Sequence, residues 1–208
     1  VTLVKICGIT QIEDAIASAQ AGANVLGFVF ADSPRRASVE TVKHIDRILG
    51  GDVRMVGVFT EESDDVLRIM DECHLDFAQL HGNQSEEFAR RIGSDRVIRV
   101  VRVRDKESIA ALERYPTSAY YLFDTYRTGM AGGTGKTFDW DLVAQTPIDK
   151  PVILSGGLNP QNVREAIRVV RPAWVDVSSG VEVAPGVKDH KVVKEFIDNV
   201  RAEDTDAR

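Results

Sequence analysis

A closed (βα)8 barrel, folded as a single α/β domain, is the architecture that this 208-residue sequence predicts, and three observations carry that reading. Short β-rich runs alternate with amphipathic stretches from one end of the chain to the other, eight of each, with no Pro/Ser-rich linker or low-complexity block between them. The fingerprint GxGxxG is missing after the first strand, so an open dinucleotide-binding sheet lacks its own signal. Strict alternation implies parallel strands joined by right-handed crossovers, and about 26 residues per unit is compact but sufficient for closure.

The strands are expected at residues 3–7, 25–30, 53–59, 77–81, 97–101, 119–124, 152–155 and 174–178, each a short run rich in β-branched or aromatic residues. Helical periodicity places the intervening elements at residues 11–21, 39–49, 64–73, 85–92, 106–114, 139–145, 160–170 and 188–200. The barrel domain thus spans residues 1–200, and the polar, aperiodic residues 201–208 are expected to form a frayed tail. Within the first strand, alternation sets Leu3, Lys5 and Cys7 on one face and Val4 and Ile6 on the other.

Composition narrows the function. The chain is 43% hydrophobic and 28% charged, an ordinary globular make-up, and its net charge of −6 with pI near 5.3 argues against a nucleic-acid footprint. A small anionic ligand remains compatible with a local basic patch such as Arg35-Arg36. Two cysteines, Cys7 and Cys73, with no CxxC pair and no His/Cys cluster of zinc spacing, suit a reducing cytoplasm and predict no metal site. With no apolar stretch near about 20 residues, the protein is expected to be soluble, untargeted and independent of membranes. Monomer and homodimer stay equally open.

In a barrel of this kind reactive groups stand where strands end and βα loops begin. Cys7 ends the first strand before a glycine, and a thiol near a cation is a base or nucleophile, the alternative being a buried structural cysteine. Asp124 ends the sixth strand; burial would raise its pKa and make it a proton donor, against the alternative of a turn cap. Gly156 and Gly157 after strand seven, and Ser178, Ser179 and Gly180 after strand eight, point backbone amides at an anion and read as a phosphate grip, strengthened by a helix expected to start near Asn159-Pro160.

Arg35, stiffened by Pro34, can fork onto a substrate carboxylate or stand solvated in its loop. His81 either hydrogen-bonds a substrate or orients its neighbours. Asp176 either pairs with Lys5, which closure would bring alongside it, or binds a sugar hydroxyl. Cys73-His74 reads as packing and a helix cap. Residues 129–137, GMAGGTGKT, imitate a nucleotide-binding P-loop, but five residues rather than four separate Gly129 from Gly135. Gly132, Gly133 and Gly135 are expected instead to make a mobile loop over the rim near Asp124.

Taken together, Lys5-Ile6-Cys7-Gly8-Ile9-Thr10, Gly27-Phe28-Val29-Phe30, Ser33-Pro34-Arg35, Gln79-Leu80-His81-Gly82, Asp124, the run from Gly132 to Trp140, Ser155-Gly156-Gly157-Leu158 and the run from Asp176 to Glu182 resemble the phosphoribosylanthranilate isomerases from end to end. The resemblance implies a TIM barrel that performs the Amadori rearrangement of N-(5'-phosphoribosyl)anthranilate in tryptophan biosynthesis, without cofactor or metal. It implies Asp124 as the acid that protonates the furanose oxygen, Cys7 as the base that removes the C2' proton, and Arg35 as the clamp on the anthranilate carboxylate. Arg36-Ala37 departs from the family's usual aromatic and β-branched pair, which reopens the choice between Arg35 and Arg36. Two alternatives stand beside it: the histidine-pathway aminoaldose isomerase, whose family has aspartate where this chain has Cys7, and a non-catalytic phosphometabolite-binding barrel, which would not need Cys7 and Asp124 together.

Overall fold

The computed structural model describes residues 1–125 and 137–206. The glycine-rich segment with Gly132, Gly133 and Gly135, the P-loop-like run up to residue 136, and residues 207–208 lie outside that range. Eight parallel strands close on themselves in sequence order: β1 (Leu3–Cys7), β2 (Val25–Val29), β3 (Arg54–Phe59), β4 (Phe77–Leu80), β5 (Val97–Val103), β6 (Tyr120–Thr125), β7 (Val152–Leu154) and β8 (Trp174–Val177). Around them lie α1 (Ile12–Gln20), α2 (Val39–Leu49), α3 (Asp64–Glu72), α4 (Glu86–Ile92), α5 (Lys106–Ala110), α6 (Asp141–Ala144), α7 (Val163–Val170) and α8 (His190–Asp206).

Strand alternation separates two apolar layers. Val4, Ile6, Leu26 and Phe28 face outward and pack with helix residues such as Ala15, Val42, Ile45, Ile167 and Phe196 in the largest core cluster. Val25, Val56, Ile98, Leu122, Ile153 and Trp174 face inward and fill the barrel. At the N-terminal end the rings of Phe77, Tyr120 and Trp174 meet with centroids 4.6–5.7 Å apart and plug the interior. Helix starts are set locally: Ser38, Ser63 and Ser85 accept backbone N–H bonds at the first turns of α2, α3 and α4, and Asp105 forms a reciprocal capping box with Ser108.

Three expectations are corrected. Residues 201–206 do not fray but complete α8, because their polar side chains have partners: Glu203, 4% exposed, accepts from Arg164 (3.0 Å) and Arg168 (2.7 Å), while Asp204 receives the Thr2 backbone N–H. The chain between β8 and α8 is not a simple loop; it forms an antiparallel ribbon of β9 (Glu182–Ala184) and β10 (Val187–Lys188), so Lys188 ends a strand instead of opening a helix. Finally, α7 begins at Val163, since Asn159 Oδ1 turns back to accept from the N–H of Gln161 and Asn162 and holds the preceding residues as a loop. Cys73 is the C-terminal cap of α3, as expected of Cys73-His74.

The aromatic plug predicts a specific cost. Trp174→Ala removes a side chain 1% exposed and should lower unfolding free energy by about 3–5 kcal/mol, read as a lowered urea midpoint at unchanged m-value. A loss under about 1 kcal/mol would mean that the plug contributes little.

Candidate active site

Inward positions at the C-terminal ends of the strands meet in one pocket lined by Cys7, Val29, Arg35, Gln79, His81, Asp124, Ser155, Gly156, Gly157, Asp176, Ser178 and Ser179, among others. Closure of β8 against β1 sets Lys5 in register with Asp176, and Lys5 Nζ donates to Asp176 Oδ1 at 2.8 Å with the lysine 0% exposed. The second oxygen of Asp176 accepts from Ser155 Oγ at 2.9 Å, so both carboxylate oxygens have protein partners. The Lys5 ammonium also lies beside the Cys7 thiol, where its charge favours the thiolate. Burial opposes the charge on Lys5, yet Asp176 and Cys7 outweigh it and hold the ammonium above its ordinary range. Burial pushes the Cys7 thiol up, and Lys5 only partly offsets this.

Space for the thiol and ammonium comes from β2. Gly27 pairs with Cys7 across the sheet, and a Cβ at Gly27 would lie 2.7 Å from Cys7 Sγ and 3.0 Å from Lys5 Nζ. In the sequence, the signal for this role of Gly27 is a glycine inside a strand, which marks close approach by another group.

Asp124 stands on β6, three strands round the barrel from Cys7, and is 7% exposed. Burial raises its pKa to about 6, against the N–H of Thr125, which donates to Oδ1 at 2.7 Å, and against the charges of Arg102 and Lys5. Gly156 is required beside it: a Cβ there would lie 2.5 Å from Thr125 N and 2.9 Å from Asp124 Oδ1. His81 Nε2 is 3.6 Å from Asp124 Oδ2 and has no hydrogen-bond partner among the described residues. Burial, then Arg102 and Lys5, lower the His81 pKa to about 4, so the ring is neutral near pH 7.

The loops after β7 and β8 make the far wall. Gly156 and Gly157 both adopt left-handed φ (85° and 74°), and the Gly157 carbonyl accepts from Asn162 Nδ2 at 3.0 Å, which braces the turn. Ser178 Oγ is buried without a partner among the described residues. Gly180 is placed differently from its neighbours: it does not line the pocket, and any side chain on it would strike the Leu158 carbonyl, so it serves close packing of the two loops.

Arg35 reaches the pocket, but its guanidinium is already forked onto Glu182, with Nε–Oε1 at 3.0 Å and Nη2–Oε2 at 2.7 Å. The expected solvated or ligand-holding arginine is thus anchored by a carboxylate of the protein. Arg36 lines a separate groove with Phe30, Val39, Asp65 and Arg68, outside the barrel mouth. Sequence reading missed Glu182 and Lys188 as parts of this site, because the ribbon that carries them has no periodic signal. Among the described residues no group of three or more His, Cys, Asp or Glu has the arrangement of a metal site.

The rim sets a buried thiol and a buried carboxyl around one pocket, walled by the loops after β7 and β8, and so defines a (βα)8 barrel with a site equipped for proton transfer. The family model described as N-(5'phosphoribosyl)anthranilate (PRA) isomerase matches residues 4–199, and the chain belongs to that family. It is 46% identical over 198 residues to the N-(5'-phosphoribosyl)anthranilate isomerase of Rubrobacter xylanophilus, covering 93% of this chain and 96% of that protein. The solved phosphoribosyl anthranilate isomerase of Thermotoga maritima superposes with a TM-score of 0.90 at 42% identity, covering 97% of this chain and 100% of the other. Another solved structure, of a phosphoribosyl anthranilate isomerase in complex with reduced 1-(o-carboxyphenylamino)-1-deoxyribulose 5-phosphate, is similar at a TM-score of 0.85 and 40% identity, over 97% and 100% of the two chains.

Gly27→Ala tests the packing around the thiol. Overpacking costs about 1–3 kcal/mol, so the variant should fold with a lowered Tm and an altered rate of Cys7 alkylation by iodoacetamide, followed by peptide mass. Unchanged values of both would show that the strand yields without disturbing Cys7.

Proposed function

We propose that this chain isomerises N-(5'-phosphoribosyl)anthranilate to 1-(2-carboxyphenylamino)-1-deoxyribulose 5-phosphate by general acid–base catalysis, with Asp124 as acid and Cys7 as base. The observation that carries this reading is the pair itself: a carboxyl whose burial keeps it protonated at higher pH than usual, and a thiol beside a lysine, lining one pocket. Family membership supports the substrate.

In this scheme Asp124 gives its proton to the furanose oxygen, the C1'–O bond breaks, and the ring opens to a protonated Schiff base. The Cys7 thiolate then takes the C2' proton and leaves an enolamine. The enolamine becomes the ketone as C1' gains a proton and the enol hydroxyl loses one, so the enzyme ends with the protons it began with. Lys5 favours the thiolate by its charge. Loop amides at Gly156, Gly157, Ser178 and Ser179 receive the phosphate, with the unpartnered Ser178 hydroxyl as a further donor, while Gly180 contributes by packing. Arg35 holds the anthranilate carboxylate, and the bonds to Glu182 leave its Nη1 for that purpose. His81, neutral, orients or bonds the substrate next to Asp124. Asp176 acts through Lys5, both its oxygens being engaged.

The direct test is loss of phosphoribosylanthranilate fluorescence on adding the purified protein to freshly generated substrate. Rates no greater than spontaneous decay would end this reading. Cys7→Ala and Asp124→Asn should each lower kcat at least about a hundredfold, equivalent to about 2.7 kcal/mol, with little change in folding; near-normal turnover in either would remove that residue from its role. Arg35→Ala should chiefly raise KM.

The pH dependence follows from the two shifts. The productive form has Asp124 protonated and Cys7 ionised, yet Asp124 titrates near pH 6 and the thiol above its ordinary range, so this form is a minority. Between the two pKa values each loss of protonated Asp124 is matched by a gain of thiolate, and the rate is flat. Below about pH 6 Asp124 is saturated with protons while the thiolate keeps falling, so kcat/KM drops about tenfold per unit. Undiminished kcat/KM at pH 4.5 would contradict the assignment.

A further inference from the structure

The β9–β10 ribbon adds two charged residues that the eight βα units do not supply, and both are enclosed at the edge of the site. Lys188 Nζ donates to the Cys7 carbonyl at 2.5 Å and to Glu182 Oε1 at 2.7 Å, and lies 3.5 Å from the Ser178 carbonyl. Its side chain is 0% exposed and that of Glu182 4% exposed. Glu182 in turn takes the fork of Arg35 and accepts the Gly186 N–H at 3.2 Å. The ribbon is seated on the first two βα loops: Thr10 Oγ1 donates to the Gly186 carbonyl at 2.5 Å, and a Cβ at Gly186, whose φ is +82°, would press on Thr10 and on the Pro34 carbonyl. Behind it, Asp14 accepts the Lys188 backbone N–H at 2.9 Å.

We propose that Glu182 and Lys188 are positioning residues for the isomerisation, Glu182 aiming the Arg35 guanidinium into the pocket and Lys188 fixing the peptide that carries the Cys7 thiol. Arg35 and Lys188 share the Glu182 carboxylate, so one group holds both the guanidinium that reaches the pocket and the ammonium that meets the Cys7 carbonyl. Buried charges tied on several sides also lose a great deal when one partner goes, so the network holds a single geometry. The ribbon thereby connects the β1 end, the β2 loop and the β8 loop, which carry base, carboxylate clamp and phosphate grip.

The kinetic part of the test rests on the isomerase reading; the chemical part does not. Glu182→Gln keeps shape and an acceptor oxygen but removes the charge, and should raise KM for phosphoribosylanthranilate about tenfold with kcat nearly unchanged. Lys188→Met should lower kcat about tenfold with KM nearly unchanged. In the same variant, without substrate, the pH midpoint of Cys7 alkylation by iodoacetamide should rise by about one unit. Kinetic constants within about twofold of the parent in both variants, or losses that follow only the folded fraction by circular dichroism, would overturn the proposal. Should Lys188→Met not fold, Glu182→Gln decides through its KM alone. A shifted Cys7 profile in a protein whose parent turns over no phosphoribosylanthranilate would sink the isomerase reading while supporting the role of Lys188. Normal turnover with an unshifted profile in Lys188→Met would do the reverse.

Discussion

The buried ion pair of Lys5 and Asp176 is the constraint on which the rest of the structure turns. An inward lysine with no exposure is tolerable only if a carboxylate meets it, because an unpaired buried charge costs several kcal/mol. β8 brings that carboxylate into register with Lys5, and it does so by closing the barrel against β1. Closure therefore also sets the environment of the thiol: the ammonium held by Asp176 is the one whose charge acts on Cys7.

Around that seam the fold uses burial in two opposite ways. On β6 it withholds water from Asp124 so that the carboxyl keeps its proton at higher pH than a free aspartate would. On β1 the same withdrawal of water works against the thiolate, and cations make up part of the difference from two sides, Lys5 at the sulfur and Lys188 at the carbonyl of the same residue. Glycine is what lets these groups approach. Gly27 yields volume to the thiol and the ammonium, and Gly156 yields it to the Asp124 loop, so both positions exclude side chains on steric grounds independent of turn geometry.

The strands were legible in the sequence because period-two alternation and β-branched composition are local properties. The range 3–7 for β1 is the same in sequence and structure, and the other strands differ by one or two residues at their ends. Cys7, Asp124, Asp176 and the turns at Gly156 and Ser178 were legible as strand-end residues for the same reason. What misled was polarity read without partners. Residues 201–206 look like a tail until Arg164, Arg168 and Thr2 are found against them, and Arg35 looks free until Glu182, 147 positions away, is found in its fork. The β9–β10 ribbon escaped because two- and three-residue strands leave no period to detect.

By itself, then, the chain's order of apolar and polar residues determined the eight-unit barrel, the rim on which reactive groups stand and the family that the motifs resemble, since each depends on spacing along one strand or helix. Only the tertiary structure decided which charges share a partner: that Lys5 serves both Asp176 and Cys7, that Arg35 rather than Arg36 faces the pocket, and that Glu182 and Lys188 join the site. The physical reason is that pairing energies depend on distance and burial between residues far apart in sequence, and these exist only once β8 has closed on β1.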